Sequence, residues 1–367
     1  MTISLGMPQV PSGRGGTGSA VRPGDVGPML ADRYGRVATD LRLSVTDKCN
    51  LRCTYCMPAE GLDWLRNDQV LRDEEVVRLV RIAVEHLGIR ELRLTGGEPL
   101  IRPGLVDIVA AVRLNHPQLP ISLTTNGLGL DRKAGQLRDA GLTRINVSMD
   151  SLHPDTFAQL TRRPLLDRVL RGIEEADRVG LRPIKINAVL IRGVNDLEAT
   201  ALLDWSLRHG FELRFIEQMP LDADRAWSRD QMITAAQIRS LLEQEFMLSP
   251  DPRQRDGAPA DRWEVRRRSE PGAVLGTLGI IASVTEPFCA DCRRTRVTAE
   301  GSVRSCLFSH EETDLRNLLR SGASDTEIAD RWREAMWSKP EGHGMDSARA
   351  GDAGFVQPER TMSAICG

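Results

Sequence analysis

The sequence predicts an α/β fold built on a parallel sheet, either a partial barrel or a doubly wound sheet. The chain has 367 residues, of which 41% are hydrophobic and 27% charged, so it can bury a large core. From Asp40 onward, short apolar or alternating segments are separated by longer stretches with helical periodicity. Six such alternations favour parallel strands joined by crossover helices.

The order of the strand-like segments along the chain determines the order of strands in the predicted sheet. These segments are Leu41–Val45, Glu91–Thr95, Ile121–Thr125, Arg144–Ser148, Ile184–Ile191 and Glu212–Glu217. The clearest helical stretches between them are Asp73–Leu87, Leu166–Val179 and Asp196–His209. Glycines follow these and similar stretches at 141, 180 and 210, where glycine commonly ends a helix.

The alternation stops after about Pro220, which indicates a smaller C-terminal domain. We expect a helix at Ala235–Phe246, short strands at Trp263–Arg267, Val274–Ile281 and Arg296–Arg304, and two helices between Leu315 and Trp337. The predicted division is a flexible tail at 1–35, a barrel at 36–232, a C-terminal domain at 233–338 and a second tail at 339–367.

Composition excludes several classes of function. A net charge of −2 argues against a general nucleic-acid binder, although a basic pocket remains possible. No apolar run approaches the ~18 residues of a membrane span, and no signal peptide is visible. Seven clustered cysteines do not suit a disulfide framework, so we expect a reducing cytosol and thiolates that serve a metal or chemistry. Only four of the 49 basic residues are lysines, and Lys185 is kept inside a predicted strand.

The spacing Cys49-x3-Cys53-x2-Cys56 directly after the first strand is the strongest chemical signal. Parallel barrels carry their sites on loops at the carboxyl ends of strands, which is where this loop lies. Three thiolates can hold a four-iron cluster and leave one iron open, because such clusters usually take four cysteines. Zinc sites normally use C-x2-C pairs and fit this spacing poorly.

A second set, Cys289-x2-Cys292-x13-Cys306, has two interpretations. With His310 it forms a Cys3His zinc pattern, which in isolation is the better interpretation. Taken together with the first motif, it resembles the second cluster site of one enzyme subfamily. An ordinary zinc knuckle would not require the basic run Arg294-Thr295-Arg296 that follows Cys292.

These motifs resemble those of radical S-adenosylmethionine (SAM) enzymes, and within them the GTP 3',8-cyclases, or molybdenum cofactor biosynthesis protein A. The cysteine loop contains Tyr55, and the second strand ends in Thr95-Gly96-Gly97-Glu98-Pro99, which is similar to the family's Gly-Gly-Glu-Pro motif. The resemblance covers roughly residues 38–310 and the last few residues. It implies an incomplete TIM-like (β/α)6 barrel of the radical SAM type, with a smaller C-terminal domain that carries a second Fe–S cluster.

The resemblance also implies roles for individual residues. Two [4Fe–4S] clusters are expected, one on Cys49, Cys53 and Cys56 and one on Cys289, Cys292 and Cys306. The SAM contacts are expected to be Tyr55, Gly97, Ser148 and Met219. The GTP contacts are expected to be Arg42, Arg93, Thr124, Lys185, Arg294, Thr295 and Arg296, with Arg294 and Arg296 as the catalytic pair. Arginines and a lysine suit a triphosphate of about four negative charges.

The reaction that the resemblance implies is conversion of GTP to 3',8-cyclo-7,8-dihydro-GTP, an early step of molybdopterin synthesis. A 5'-deoxyadenosyl radical from SAM takes the 3' hydrogen, and C3' then attacks C8 of guanine. The implied partners are GTP, a flavodoxin-like or ferredoxin-like electron donor, a downstream cyclic pyranopterin monophosphate synthase and a second copy of the chain. A cytoplasmic location, with no membrane or nucleic-acid partner, is expected.

The C-terminus departs from the family. The chain ends Ile365-Cys366-Gly367, where the family ends in a glycine pair, so Cys366 replaces a glycine. Either a mobile tail tolerates this side chain, or the change indicates a weakened cyclase. The alternative functions are another radical SAM enzyme with an auxiliary cluster, such as a peptide maturase, and a zinc-binding regulatory or nucleic-acid module. The latter leaves Cys49, Cys53 and Cys56 unexplained.

Overall fold

A computed structural model describes residues 27, 29–253, 255–344 and 356–365. Cys366, the first 26 residues and much of the predicted C-terminal tail lie outside this described part, and the four-part division of the chain stays a prediction. Among the described residues, no helix is long and apolar enough to cross a lipid bilayer.

The first half of the chain alternates strands and helices. Its elements are β1 (Leu30–Ala31), β2 (Val37–Ala38), β3 (Asp40–Ser44), α1 (Asp73–Leu87), β4 (Glu91–Thr95), α2 (Leu105–Asn115), β5 (Ile121–Thr125), α3 (Leu130–Asp139), β6 (Arg144–Ser148), α4 (Pro154–Thr161), α5 (Leu166–Arg178), β7 (Ile184–Val189), α6 (Ala199–Arg208) and β8 (Glu212–Ile216).

The rest of the chain is richer in strands. Its elements are α7 (Ala235–Leu242), β9 (Phe246–Pro250), β10 (Asp261–Arg267), β11 (Gly276–Ile281), β12 (Arg294–Val297), β13 (Ser302–Arg304), β14 (Thr313–Asp314), α8 (Arg316–Ser321) and α9 (Asp325–Trp337). Short 3₁₀ turns cover Pro99–Ile101, Asp196–Glu198, Cys289–Asp291 and Met362–Ala364.

One sheet of twelve strands contains all of these strands except β1 and β2, in the order β14-β13-β12-β3-β4-β5-β6-β7-β8-β11-β10-β9. Strands β3 to β8 run parallel in sequence order. The sheet is curved, because one cavity is lined both by the neighbouring strands β12 and β3 and by the neighbouring strands β8 and β11, and these two pairs lie far apart in the strand order. The prediction of an α/β fold with an incomplete six-stranded barrel is therefore confirmed.

The C-terminal segment extends both edges of the barrel sheet. Strand β12 pairs parallel with β3, and β11 pairs parallel with β8. Buried Glu217 fixes the second attachment: its carboxylate accepts hydrogen bonds from the backbone N–H groups of Ala235 at 2.8 Å, Val284 at 2.8 Å and Thr285 at 2.9 Å. The predicted smaller domain thus shares the barrel's sheet.

Two details differ from expectation. The helix predicted at Ala235–Phe246 ends at Leu242, and Phe246 begins β9, where it is buried and lies opposite Arg267 of β10. The strand predicted at Arg296–Arg304 is a hairpin of β12 and β13. Its turn contains Gly301, whose φ of +87° is a conformation that glycine adopts without strain.

Candidate functional site

The first cysteine loop follows β3 and crosses the carboxyl ends of the barrel strands. Its backbone is fixed by N–H groups of Cys56 and Met57, which both donate to the carbonyl of Cys53. It is also held against α4, since Thr54 donates to the carbonyl of Leu160. Cys49, Cys53 and Cys56 form no disulfide within the described residues, are partly buried and all line the central cavity.

The Gly96-Gly97 pair brings the end of β4 against this loop. The N–H of Gly97 donates to the carbonyl of Thr46 at 2.9 Å, and that of Glu98 donates to Lys48 at 2.8 Å. A Cβ at Gly97 would lie 2.3 Å from the carbonyl oxygen of Lys48, so only glycine fits. Gly97 lines the cavity, as expected of a SAM contact. The neighbour that leaves no room for a Cβ at Gly97, however, is the backbone of the cysteine loop.

Glu98 ties the first triad to the neighbouring strand end. It is fully buried, and its carboxylate accepts hydrogen bonds from the N–H of Leu100 at 2.9 Å, the N–H of Asn126 at 2.6 Å and the hydroxyl of Thr125 at 2.6 Å. Burial raises the pKa of Glu98 to about 7, against the lowering effect of these hydrogen bonds. The Asn126 amide in turn lies 3.9 Å from the Sγ of Cys49.

Tyr55 is fixed by a second buried acid. Its hydroxyl donates to Asp150 at 2.6 Å, and the other oxygen of Asp150 accepts from the N–H of Val189 at 2.8 Å. Burial raises the pKa of Asp150 to about 6. The cysteine loop is therefore anchored to the ends of β6 and β7 as well as to β4.

The second triad comes from the segment between β11 and β14. Cys289 and Cys292 flank a 3₁₀ turn that leads into β12, and Cys306 follows β13. The loop at Cys306 is shaped by buried Arg304, whose guanidinium donates to the carbonyl of Ser309 and pairs with Glu312. Like the first triad, these cysteines form no disulfide within the described residues, and they line the same cavity.

Cys49 and Cys292 lie in opposite electrostatic surroundings. Burial, with a smaller contribution from Glu98, raises the pKa of Cys49 to about 11. Burial would also raise the pKa of Cys292, but Arg294 and Lys339 overcome it and lower that pKa to about 5. Cys292 therefore lies in electropositive surroundings, whereas burial raises the pKa of Cys289 in the same triad.

Five arginines line the cavity: Arg42, Arg93, Arg214, Arg294 and Arg296. Burial and the nearby charges of Arg93, Arg296 and Arg294 lower the pKa of Arg42. Burial alone would raise the pKa of Asp40, but Arg93 and Arg42 lower it. Within the described residues, the buried Nε atoms of Arg42 and Arg294 have no hydrogen-bond partner. This set suits a polyanion, because buried guanidinium donors are costly to leave unmatched.

The cavity brings together nearly all the predicted site residues. Its lining includes Arg42, Cys49, Cys53, Tyr55, Cys56, Arg93, Gly97, Thr124, Ser148, Met219, Cys289, Cys292, Arg294, Arg296 and Cys306. Two predicted GTP contacts, Lys185 and Thr295, are absent from the lining that the structure describes.

Lys185 lies on the same face of β7 as the lining residues Asn187 and Val189, but nearer the start of the strand. Its ammonium is held by both carboxylate oxygens of Glu212, at 2.9 and 3.0 Å. Burial and Arg214 lower the pKa of Lys185 to about 8. Lys185 therefore lies nearer the amino end of β7 than the described cavity lining, and it forms an ion pair with Glu212.

Thr295 faces away from the cavity. Successive residues of a strand point to opposite sides, so Arg294 and Arg296 face inward while Thr295 faces the outer helices. Its hydroxyl accepts a hydrogen bond from the indole N–H of buried Trp332 in α9, at 2.9 Å. The side chain of Thr295 packs β12 onto α9 and does not reach the cavity.

Several lining residues were missed by sequence reasoning. Arg214 lines the cavity from β8 and donates to Glu212 at 2.9 Å. Asn187 and Asp150 line it from β7 and from the end of β6. The alternation of side chains along β8 could have predicted Arg214, because a residue two positions before the lining residue Ile216 faces the same side of the strand.

His310, the alternative zinc ligand, is exposed and does not belong to the described cavity lining. His343 lines the cavity instead and contacts Phe308, with ring centroids 5.3 Å apart. In the described part of the chain, no group of three or more His, Cys, Asp or Glu side chains is placed to hold a single metal ion.

The described end of the chain returns to the cavity. Met362 lines it, and the N–H of Met362 donates to the carbonyl of Leu221 at 3.1 Å. Ile365 is fully buried in a small apolar cluster with Leu221 and Phe308. Cys366, on which the departure from the family rests, lies just beyond the described residues.

Comparison with known proteins identifies the family. Residues 43–206 match the Radical SAM superfamily, and residues 211–345 match Molybdenum Cofactor Synthesis C. The chain is 65% identical to the GTP 3',8-cyclase of Paenarthrobacter nicotinovorans, over 95% of this chain and 99% of that protein. It is 54% identical to that of Mycolicibacterium smegmatis over the whole of both chains. The chain belongs to the GTP 3',8-cyclase family.

Solved structures support the fold of this GTP 3',8-cyclase family member. Streptococcus suis SuiB bound to S-adenosylmethionine aligns with a TM-score of 0.56 and 14% identity, covering 86% of this chain and 68% of that one. At this identity the likeness concerns the fold alone.

Iron–sulfur clusters fit the residues that the structure brings together. Each triad offers three thiols at one cavity, the donor type that such clusters take. Three cysteine ligands would leave one iron of a bound four-iron cluster without a cysteine ligand. The unmatched Nε atoms of Arg42 and Arg294 lie in the same lining and suit an anionic substrate.

Proposed function

We propose that this chain converts GTP to 3',8-cyclo-7,8-dihydro-GTP by radical SAM chemistry, an early step of molybdenum cofactor synthesis. It is an enzyme with GTP as substrate and with [4Fe–4S] clusters and SAM as cofactors. The observation that carries the proposal is that two cysteine triads and an arginine set line one cavity. GTP needs basic side chains that bind its triphosphate and a group that contacts its purine, and this one cavity contains candidates for both.

The first triad is the proposed SAM side. Cys49, Cys53 and Cys56 hold the first cluster, which when reduced supplies the electron that cleaves SAM to methionine and a 5'-deoxyadenosyl radical. Tyr55 and Gly97 flank this triad, and Ser148 and Met219 line the cavity from the ends of β6 and β8. Glu98 and Asp150 do not act on substrate in this scheme; they hold the cysteine loop in place.

The second triad and the arginines are the proposed GTP side. Cys289, Cys292 and Cys306 would hold the second cluster, which when bound would offer the purine an iron without a cysteine ligand. Arg42, Arg93, Arg294 and Arg296 surround the triphosphate and ribose, with Thr124 beside them. Lys185 can join them only by exchanging Glu212 for phosphate, since Glu212 now holds its ammonium.

Enclosure is the chain's third contribution. The barrel strands wall the cavity on one side, while the C-terminal segment and Met362 wall it on the other. A radical is protected from solvent by such a site, and its target hydrogen is held in reach. The phenyl ring of Phe288 stacks against Arg294, 4.7 Å from the guanidinium carbon to the ring centroid, and limits its motion.

The partners follow from the chemistry. Reductive cleavage of SAM needs a low-potential electron donor, which we expect to be flavodoxin-like or ferredoxin-like. The product would pass to a cyclic pyranopterin monophosphate synthase. We also propose a homodimer and a cytoplasmic location for this chain.

Substitution of the arginine pair tests the substrate assignment. Arg294→Ala and Arg296→Ala should each lower cyclisation about a hundredfold, the usual effect of losing one charged transition-state donor, and spare SAM cleavage. Arg293→Ala is the matched control, because Arg293 is exposed and pairs with Asp256 at 2.7 Å outside the cavity. Anaerobic assays would quantify 5'-deoxyadenosine and cyclised product separately. Full cyclisation in both variants would reject the assignment of GTP to this end of the cavity.

A further inference from the structure

A buried lysine lies against the second cysteine triad. Lys339 follows α9 and is only 2% exposed, although the sequence suggested that a loose tail starts there. Its ammonium donates to the Sγ of Cys292 at 3.3 Å, the carbonyl of Cys292 at 3.2 Å and the carbonyl of Arg294 at 3.0 Å. All three described acceptors therefore belong to the stretch that carries the second cysteine and the first catalytic arginine.

The charge of Lys339 needs a counter-charge. A buried ammonium is costly unless it is paired with a negative group, and two neutral carbonyls do not supply one. The remaining acceptor is the sulfur of Cys292, which is a thiolate when it binds a metal. The counter-charge of Lys339 is thus the cysteine ligand set itself.

Lys339 reaches this sulfur from outside the cavity. Cys292 and Arg294 line the cavity, whereas Lys339 is absent from the lining that the structure describes. It therefore leaves the cavity side of the cluster to the substrate. Any effect of Lys339 on GTP must pass through Cys292 or through the backbone at Arg294.

The position of Lys339 is held by Arg36. The Arg36 guanidinium donates to the carbonyls of Cys289 at 2.8 Å, Pro340 at 2.6 Å and Glu341 at 2.7 Å. Asp32 fixes Arg36 with a 2.6 Å ion pair. Residues 339–341 are consequently tied to the same turn that presents Cys289 and Cys292.

The first triad has a different neighbour. The side-chain donor described at the Sγ of Cys49 is the neutral amide of Asn126, at the longer distance of 3.9 Å, while the Arg52 guanidinium donates to the carbonyl of Cys49 at 2.7 Å. Hydrogen bonds to ligand sulfurs and nearby positive charge both stabilise the reduced, more negative state of an iron–sulfur cluster. The ammonium at Cys292 therefore gives the second cluster a charged N–H···S donor, whereas the charge of Arg52 meets Cys49 at its backbone carbonyl.

We infer that Lys339 is a positioning residue of the second cluster, which holds the Cys292–Arg294 backbone and raises the cluster's reduction potential through an N–H···S bond to Cys292. This inference rests on the proposed function, because it requires that Cys289, Cys292 and Cys306 hold an iron–sulfur cluster.

The test uses the full-length chain with Cys49, Cys53 and Cys56 replaced by alanine, so that only the second cluster contributes. In this background Lys339→Met removes the charge and the donor, while Lys339→Arg keeps both. Lys133→Met is the matched control, because the Lys133 ammonium also donates to two carbonyls, of Leu100 at 2.8 Å and Arg102 at 3.3 Å, but not to sulfur. Iron and sulfide content and a dithionite titration followed by electron paramagnetic resonance would be measured.

We expect Lys339→Met to shift the midpoint potential to a more negative value, Lys339→Arg to stay near the parent and Lys133→Met to leave it unchanged. Loss of iron from Lys339→Met but not from Lys339→Arg would also support a charged donor. A parental potential in fully loaded Lys339→Met, or loss of iron from both Lys339 variants, overturns the inference. Zinc in place of iron and sulfide in the background protein itself would instead overturn the second iron–sulfur site and this inference with it.

Discussion

At the scale of single residues, the direction of a side chain decides its role more than its place in a motif. Arg294, Thr295 and Arg296 are adjacent, yet only the two arginines line the cavity. The pleat of β12 turns the threonine toward Trp332. Thr295 thus contributes to the site by seating the strand that presents both arginines.

His310 provides a residue-scale prediction. It stands at zinc-ligand spacing from Cys306, but it is exposed and outside the described lining of the cavity. We expect His310→Ala to retain about eight irons per chain, the content of two four-iron clusters, since its imidazole is no ligand. Iron and sulfide analysis after anaerobic purification checks this.

Cys306→Ala is the matched control for that measurement, and it should fall to about four irons, because one of the three cysteine ligands of the second cluster is lost. An equal loss from His310→Ala would restore the Cys3His interpretation of the C-terminal cysteines.

Sequence alone predicted the residues whose spacing carries chemistry. Cys49, Cys53 and Cys56 lie on one loop, so their spacing already places them together. Lys339 and Cys292 lie 47 positions apart, and only packing after α9 brings them into contact. Arg36 is still more distant in sequence from the turn it holds. Tertiary contacts of this kind leave no local pattern.

At the scale of elements, parallel strands were predicted well and C-terminal elements less well. β4, β5 and β6 match their expected bounds, because each is a short segment with alternating or clustered apolar residues between clear helical periods. The helix expected to reach Phe246 stops at Leu242, since pairing of Phe246 with β10 outweighs helical periodicity. Competition between local propensity and strand pairing is settled by tertiary structure.

The described C-terminal stretch, residues 356–365, carries the element-scale prediction. Arg360 pairs with Glu312 at 2.6 Å and with Glu300, and these side chains are at most a third exposed. Loss of this partly buried network in Arg360→Ala should cost about 1 kcal/mol locally, and so speed amide exchange at Met362 roughly fivefold. Hydrogen–deuterium exchange of C-terminal peptides measures the exchange rate of the Met362 amide, which donates to the carbonyl of Leu221.

Glu359→Ala is the control for this measurement, because Glu359 is the exposed neighbour of Arg360. Since Met362 lines the cavity, Arg360→Ala should also lower cyclisation. Unchanged exchange at Met362 in Arg360→Ala would mean that other contacts, such as burial of Ile365 and the bond from Gln357 to the carbonyl of Asp222, hold this stretch.

At the scale of the whole molecule, the C-terminal segment completes a barrel that the first half leaves open. Strands β11 and β12 come from one continuous segment, yet they pair with opposite edges of the β3–β8 sheet. The segment between them carries Cys289 and Cys292, so it spans the open side with the second triad. This topology explains why two distant cysteine sets face each other across one cavity.

The same topology predicts that the two clusters load independently. The first triad is held by β3, β4 and α4, and the second by β12, β13 and Arg36, so neither depends on the other's ligands. The parent should contain about eight irons, and each triple cysteine-to-alanine variant about four. Replacing Cys49, Cys53 and Cys56 should abolish SAM cleavage, whereas replacing Cys289, Cys292 and Cys306 should spare it and abolish cyclisation. Loss of all iron from either variant would contradict independent loading and indicate one shared metal site, because separately anchored thiols cannot lose both clusters together.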